Sequence, residues 1–135
     1  MERKLAMLIV EDHDVMRRML VEYVQSAYPD AAIMQAADGA RALELCRSSS
    51  PRLVLMDVTL PDANGIELTA QIREMLPGTE VIIFSLHAFA AYVERAHAAG
   101  AFAYITKDKV YRELLPTVGR ALGRGPSGGG HGDPQ

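Results

Sequence analysis

Four apolar runs in this 135-residue chain stop at polar residues that could do chemistry. Leu5-Ala6-Met7-Leu8-Ile9-Val10 ends in Glu11-Asp12, and Leu53-Val54-Leu55-Met56 ends in Asp57. Val81-Ile82-Ile83-Phe84 ends in Ser85, and Ala101-Phe102-Ala103-Tyr104-Ile105 ends in Thr106-Lys107. Taken singly, each is unremarkable: Asp12 suits a helix cap or a solvated turn, Ser85 the cap of a following helix, Lys107 the surface. Brought together, three carboxylates, a hydroxyl and an ammonium make a site. Two carboxylates about 4 Å apart repel by roughly 4 kcal/mol at an effective dielectric of 20. A third requires a cation or a bound proton. Hard oxygen donors in a half-open site suit Mg²⁺, which keeps several waters and favours phosphate oxygens. No Cys/His set has zinc spacing, and His13 reads as a loop histidine rather than a ligand.

The elements that must position these residues follow from the same runs. Apolar stretches without polar alternation imply strands covered on both faces, hence a parallel sheet. Ala32-Ile33-Met34-Gln35-Ala36 is a weaker strand, suited to an edge. Amphipathic stretches alternate with the strands. Met16, Met19, Leu20, Tyr23 and Val24 mark one helix; Ala42, Leu43, Leu45 and Cys46 mark the next, after the Asp38-Gly39 turn. Ile66, Leu68, Ile72 and Met75 mark a third, stopped by Pro77-Gly78. Ala90, Tyr92, Val93 and Ala96 mark a fourth, and Val110, Leu114, Leu115, Val118 and Leu122 a fifth. Pro116 and Gly119 interrupt that last pattern, and Pro116 predicts a kink or an early end near Leu115. The pattern is a (βα)5, doubly wound, five-stranded parallel sheet of the α/β class. In such a sheet, ligands bind beyond the carboxyl ends of the strands, where these polar residues fall.

Length implies one domain, residues 1–122, followed by a Gly/Pro-rich tail, 123–135, expected to be disordered. Hydrophobic residues make up 49% and charged residues 23%, which excludes disorder throughout. No apolar stretch is long enough to span a membrane, and Met1 to Val10, ended by Glu11-Asp12, is not expected to act as a secretory signal. The lone Cys46 cannot form an internal disulfide, which fits a reducing cytoplasm. A net charge of −3 leaves no nucleic-acid footprint.

The residues Val10-Glu11-Asp12-His13, Leu55-Met56-Asp57-Val58-Thr59-Leu60-Pro61-Asp62-Ala63-Asn64-Gly65, Phe84-Ser85 and Ala103-Tyr104-Ile105-Thr106-Lys107 together resemble the CheY-like receiver domains of two-component response regulators. The NarL/FixJ-type receivers are the nearest group. The resemblance covers residues 5–122 and implies the flavodoxin-like strand order 2-1-3-4-5. It implies that Asp57 accepts a phosphoryl group from a sensor histidine kinase or a histidine phosphotransfer protein. Mg²⁺ would be held by Asp12 directly, by Glu11 through water, by Asp57 and by the backbone carbonyl of Thr59. Lys107 and Ser85 would take other phosphoryl oxygens, and Ser85 with Tyr104 would form a switch in which Tyr104 rotates beneath the fourth helix. Thr59 and His87 would tune the acyl-phosphate lifetime. Pro61 and Gly65 would shape the loop after Asp57, although plain loop punctuation accounts for both equally well. Leu86 predicts a bulky lip beside Ser85.

The leading reading is output by contact with a downstream protein that the sequence does not name. The family's transcription-factor form needs a helix-turn-helix domain that this sequence does not contain, so direct nucleic-acid contact is not expected. Membrane contact is not expected either, and a homodimer is left open. Two alternatives share the fold: a phosphorylation-independent binding module, and the receiver fragment of a DNA-binding transcriptional regulator. An enzyme acting on small molecules is disfavoured. Haloacid-dehalogenase-type phosphatases need a second Asp two residues after the nucleophile, where this chain has Thr59.

Overall fold

Alternating apolar strands and amphipathic helices can bury both faces of a sheet only by winding helices to each side. The computed structural model, which describes residues 4–123, follows this rule. In chain order the elements are β1 (Ala6–Val10), α1 (Asp14–Ala27), β2 (Ala32–Ala36), α2 (Gly39–Ser49), β3 (Leu53–Asp57) and α3 (Gly65–Met75). They continue with β4 (Glu80–Ser85), α4 (Ala90–Ala98), β5 (Ala103–Thr106), a 3-10 turn (Lys107–Lys109) and α5 (Val110–Ala121). All four strand pairings are parallel, in the order β2-β1-β3-β4-β5. The expected tail lies outside the described residues except for Gly123, which has a φ of +73°. No described helix is long and apolar enough to cross a membrane.

Strand alternation divides the core in two. Met7, Ile9, Leu53, Leu55, Ile82 and Phe84 point to one face, where Leu20 and Val24 of α1 and Leu114 and Val118 of α5 cover them. Leu8, Val10, Val54, Met56, Val81 and Ile83 point to the other, under Ala42 and Cys46 of α2, Ile66 and Ile72 of α3, and Ala96 of α4. Burial pushes the Cys46 thiol up to about 11, so it is a packing residue and not a reactive one.

The register decides where the site falls. Val10 pairs with Met56, Asp57 with Phe84, and Ser85 with Thr106, so the carboxyl ends of β1, β3, β4 and β5 finish level. The break in strand order between β1 and β3 opens the crevice there.

The early end expected near Leu115 does not occur. α5 runs through Pro116 to Ala121. Pro116 is exposed, so the backbone bond it forfeits lies on the solvent side, while buried Leu114 and Val118 hold the helix to the sheet on either side of it.

Candidate functional site

β1 and β3 deliver the carboxylates. The backbone N–H of Glu11 donates to the carbonyl of Ala36 (3.0 Å), extending β1 by one residue and holding the Glu11 side chain inside the crevice. Its Oε2 accepts the N–H of His13 (3.0 Å). His13 caps α1, its Nδ1 accepting from the Met16 N–H at 3.3 Å, a role its loop position did not announce. Asp12 stays exposed, whereas Glu11 and Asp57 are buried.

Lys107 follows β5 and sits between the two buried carboxylates. Its Nζ lies 3.0 Å from Glu11 Oε1 and 3.2 Å from Asp57 Oδ2. The same ammonium is 5.5 Å from the centre of the Phe84 ring. One carboxylate oxygen from each of Glu11, Asp12 and Asp57 lies within 4.8 Å of the others. The four charged positions therefore converge on one rim, and the register ends β4 at Ser85 on the same edge of the sheet.

The electrostatics follow from this packing. Burial, and then the Glu11 charge, push Asp57 up to about 6 from an ordinary 3.8, despite Lys107. Burial also works against the Glu11 carboxylate, but the His13 N–H and Lys107 outweigh it and hold Glu11 below its ordinary value. Burial disfavours the Lys107 ammonium as well, yet the two carboxylates keep it above its ordinary value. One cation thus serves two buried anions with a third beside them. Glu11 Oε1 is paired with Lys107 by charge and accepts no hydrogen bond. A buried carboxylate oxygen with spare lone pairs, in an all-oxygen cluster, fits a hard divalent cation.

The loop after Asp57 is a narrow hairpin. Thr59 and Asn64 form an antiparallel bridge, and the Leu60 N–H reaches the Ala63 carbonyl at 3.2 Å. The Thr59 N–H donates to Asp57 Oδ1 at 3.3 Å. Asn64 caps α3 by accepting from the Ile66 and Glu67 N–H groups at 2.8 and 3.3 Å. Gly65 does not have a positive φ, so no left-handed turn calls for glycine there. Close approach is the reason for glycine: a Cβ there would stand 2.0 Å from the Asp57 carbonyl oxygen. Pro61 lies exposed at the tip.

On the other side of the crevice, Ser85 does not cap α4. Phe89 occupies the cap position and makes no side-chain bond there. The Ser85 Oγ accepts weakly from the His87 N–H (3.4 Å), and the Tyr104 hydroxyl donates to the His87 carbonyl (2.6 Å). Tyr104 packs against the core beneath α4, half-buried. Leu86 is 72% exposed beside Ser85. His87, Phe89 and Tyr92 form an aromatic ladder, with ring centres 5.0 and 5.5 Å apart. Asp62, at the tip of the loop after Asp57, takes its partners from a distant part of the chain, the Gly39 and Ala40 N–H groups.

Comparison with known proteins decides the family. The response regulator receiver domain model matches residues 7–118. The chain belongs to this family. Receiver domains are phosphorylation-accepting signalling modules rather than enzymes acting on small molecules. Among curated relatives, the chemotaxis protein CheY of Halobacterium salinarum is 34% identical over 115 residues, covering 85% of this chain and 94% of that one. The transcriptional activator protein ExaE of Pseudomonas putida is 31% identical, covering 87% of this chain and 55% of its own length. The receiver thus spans about half the length of several transcriptional relatives, including the nitrate/nitrite regulator NarL of Escherichia coli, at 28% identity and 53% of that protein. Among solved structures, a LuxR-family response regulator from Aurantimonas aligns with a TM-score of 0.81 at 32% identity, covering 89% and 86% of the two chains. The receiver domain of NarL from Mycobacterium tuberculosis aligns at 0.80 and 30% identity, covering 91% of this receiver and all of that chain (100%).

Proposed function

We propose that Asp57 is the phosphoacceptor of a two-component or phosphorelay pathway, supplied by a sensor histidine kinase or a histidine phosphotransfer protein. The observation that carries this reading is Lys107 Nζ at 3.0 Å from Glu11 and 3.2 Å from Asp57, with Asp12 alongside. Asp57 Oδ would form the new O–P bond as the P–N bond of a phosphohistidine breaks, the imidazole keeping the electron pair and taking a proton. Glu11, Asp12 and Asp57, with the Thr59 carbonyl, are the residues to hold Mg²⁺. When bound, Mg²⁺ neutralises phosphoryl charge as a Lewis acid. Lys107 neutralises a second oxygen, and the Ser85 hydroxyl donates to a third.

Ser85 turning toward the phosphoryl group releases the His87 N–H, and Tyr104 holds the other end of the same residue. The pair therefore biases the 86–89 loop and α4, a population shift limited by the contacts the phosphoryl group makes in each state. Thr59 and His87 flank the approach of water to the acyl phosphate and set its lifetime. Replacing both should change the dephosphorylation rate, and an unchanged rate would refute their role. Output passes in the cytoplasm to a partner protein rather than through nucleic-acid contact by this domain. The length of the transcriptional relatives favours a second setting, in which a DNA-binding domain reads the receiver's state.

Incubation with Mg²⁺ and acetyl phosphate, followed by intact mass, tests the assignment. One phosphoryl adduct on the natural chain and none on Asp57→Asn supports it. No adduct on either favours a phosphorylation-independent binding module, and steady phosphate release from varied substrates favours a phosphatase.

A further inference from the structure

The tip of the loop after Asp57 is fastened to a second element. Asp62 Oδ1 accepts the Gly39 N–H at 2.7 Å and Oδ2 accepts the Ala40 N–H at 3.0 Å. These are the first two N–H groups of α2, which its own cap, Asp38, does not reach. The Asp38 side chain accepts from the Arg41 N–H, at 2.8 Å, and its carbonyl from the Ala42 N–H, at 3.1 Å. A helix start leaves several N–H groups without intrahelical partners, and here two of them are satisfied by a carboxylate 22 and 23 residues further along the chain.

Packing reinforces the bonds. A Cβ on Gly39 would stand 2.9 Å from Ala63 Cβ and from Leu68 Cδ1, and 3.2 Å from Asp62 Oδ1, so the loop tip seats directly on the α2 backbone. Leu60, on the same hairpin, is buried in the core under α2 and α3. The base of the hairpin is held by Gly65 against the Asp57 carbonyl, and by the Gly65 N–H to the Val58 carbonyl at 2.7 Å. Between these anchors lies Thr59, whose N–H touches Asp57 Oδ1.

We propose that Asp62 is a positioning residue that latches the phosphoacceptor loop to the N-terminus of α2, setting the divalent-cation affinity of the site and coupling its state to α2. The proposal rests on the phosphoacceptor reading for its cation site, and the latch has its own readouts. Asp62 is not one of the clustered carboxylates, and both of its oxygens are engaged by α2. It acts through the placement of Thr59, at the opposite side of the crevice from the Ser85 and Tyr104 pair.

The test uses Asp62→Ala and Asp62→Asn, both at an exposed position, and Gly39→Ala, which pushes the tip away while leaving the carboxylate. Mg²⁺ binding is measured by calorimetry, and acetyl phosphate labelling is followed across a Mg²⁺ titration. Loss of an outer-sphere partner costs 10–100-fold in metal affinity, and a residue acting one step further out should raise the Mg²⁺ midpoint by roughly 3- to 10-fold in Asp62→Ala. The labelling rate at saturating Mg²⁺ should fall by no more than about twofold, because the reacting groups are intact. Asp62→Asn, which keeps one acceptor oxygen, should fall between Asp62→Ala and the natural chain. Amide resonances of Gly39 and Ala40 should shift on adding Mg²⁺ and acetyl phosphate to the natural chain, and stay put in Asp62→Ala. Equal Mg²⁺ midpoints in all four proteins, or α2 amides indifferent to the state of the site, would overturn the latch. Absence of labelling in the natural chain would overturn the phosphoacceptor reading instead, and calorimetry would still decide the latch.

Discussion

Two loops border the crevice, and they are built in opposite ways. The loop between β3 and α3 is fastened at its base by Gly65, in its middle by buried Leu60, and at its tip by Asp62 on α2. The helix it leads into is capped twice by Asn64 and buries Gly65, Ile66, Leu68, Thr69 and Ile72. The loop between β4 and α4 is tied by the Tyr104 hydroxyl and a 3.4 Å bond to Ser85. Its helix has no side-chain cap and buries Ala96. Leu86 and Phe89 stand 72% and 56% exposed. On the proposed function, the difference suits two tasks. Holding a cation and an acyl phosphate calls for preorganisation, which over-determined backbone supplies. Reporting a phosphoryl group calls for a segment with few buried contacts.

The sharpest break in this comparison comes from Lys107. Removing the ammonium that serves Glu11 and Asp57 should slow acetyl phosphate labelling by on the order of 100-fold in Lys107→Ala at saturating Mg²⁺. A loss below threefold would show that Lys107 is a structural partner only. Next comes the stability of the two sides. Gly65→Ala forces a Cβ into the Asp57 carbonyl and should cost about 2–4 kcal/mol in urea unfolding. Ala91→Gly on exposed α4 should cost about 1 kcal/mol or less. Similar costs at the two positions would erase the contrast.

Acid–base linkage gives an effect of comparable size in the metal-free protein. Folded Asp57 binds its proton more tightly than the unfolded chain does, at about 6 against 3.8. Its contribution to stability is therefore complete below about pH 4 and is lost as the pH rises through 6. Glu11, held below its ordinary 4.5, acts in the opposite sense and at lower pH, leaving the window between about 4.5 and 6 to Asp57. Asp57→Asn should therefore stabilise the protein by about 2–3 kcal/mol at pH 8 and very little at pH 4. Thermal melts in chelator check this, and a gain independent of pH would contradict it. The smallest effect is local. Phe89→Ser supplies the missing cap and should stabilise α4 by about 0.5–1 kcal/mol, slowing its amide exchange without touching α3.

The parallel sheet and the shared edge of Glu11, Asp12, Asp57 and Lys107 were legible because strand ends announce themselves where apolar runs meet polar residues. The strand order, by contrast, came from the family resemblance and not from the runs. What stayed hidden depends on contacts between distant segments. Asp62 resembles any loop aspartate until the fold brings Gly39 to it. Gly65 signals glycine but not its reason, which is a carbonyl eight residues earlier in the chain. Pro116 misled because its cost depends on which side of the helix faces solvent. Ser85 resembled a cap because a strand-end serine before a helix usually is one, but the 86–89 loop places Phe89 at the start of α4 and leaves Ser85 facing the His87 N–H.

The most direct test of the central claim is to map the adduct. The natural chain is treated with Mg²⁺ and acetyl phosphate, the acyl phosphate is trapped by borohydride reduction, and peptides are sequenced by tandem mass spectrometry. Modification confined to position 57, and lost when Mg²⁺ is chelated, is the expected result. Modification at Glu11 or Asp12, or labelling indifferent to Mg²⁺, would contradict a single cation-dependent site built around Asp57.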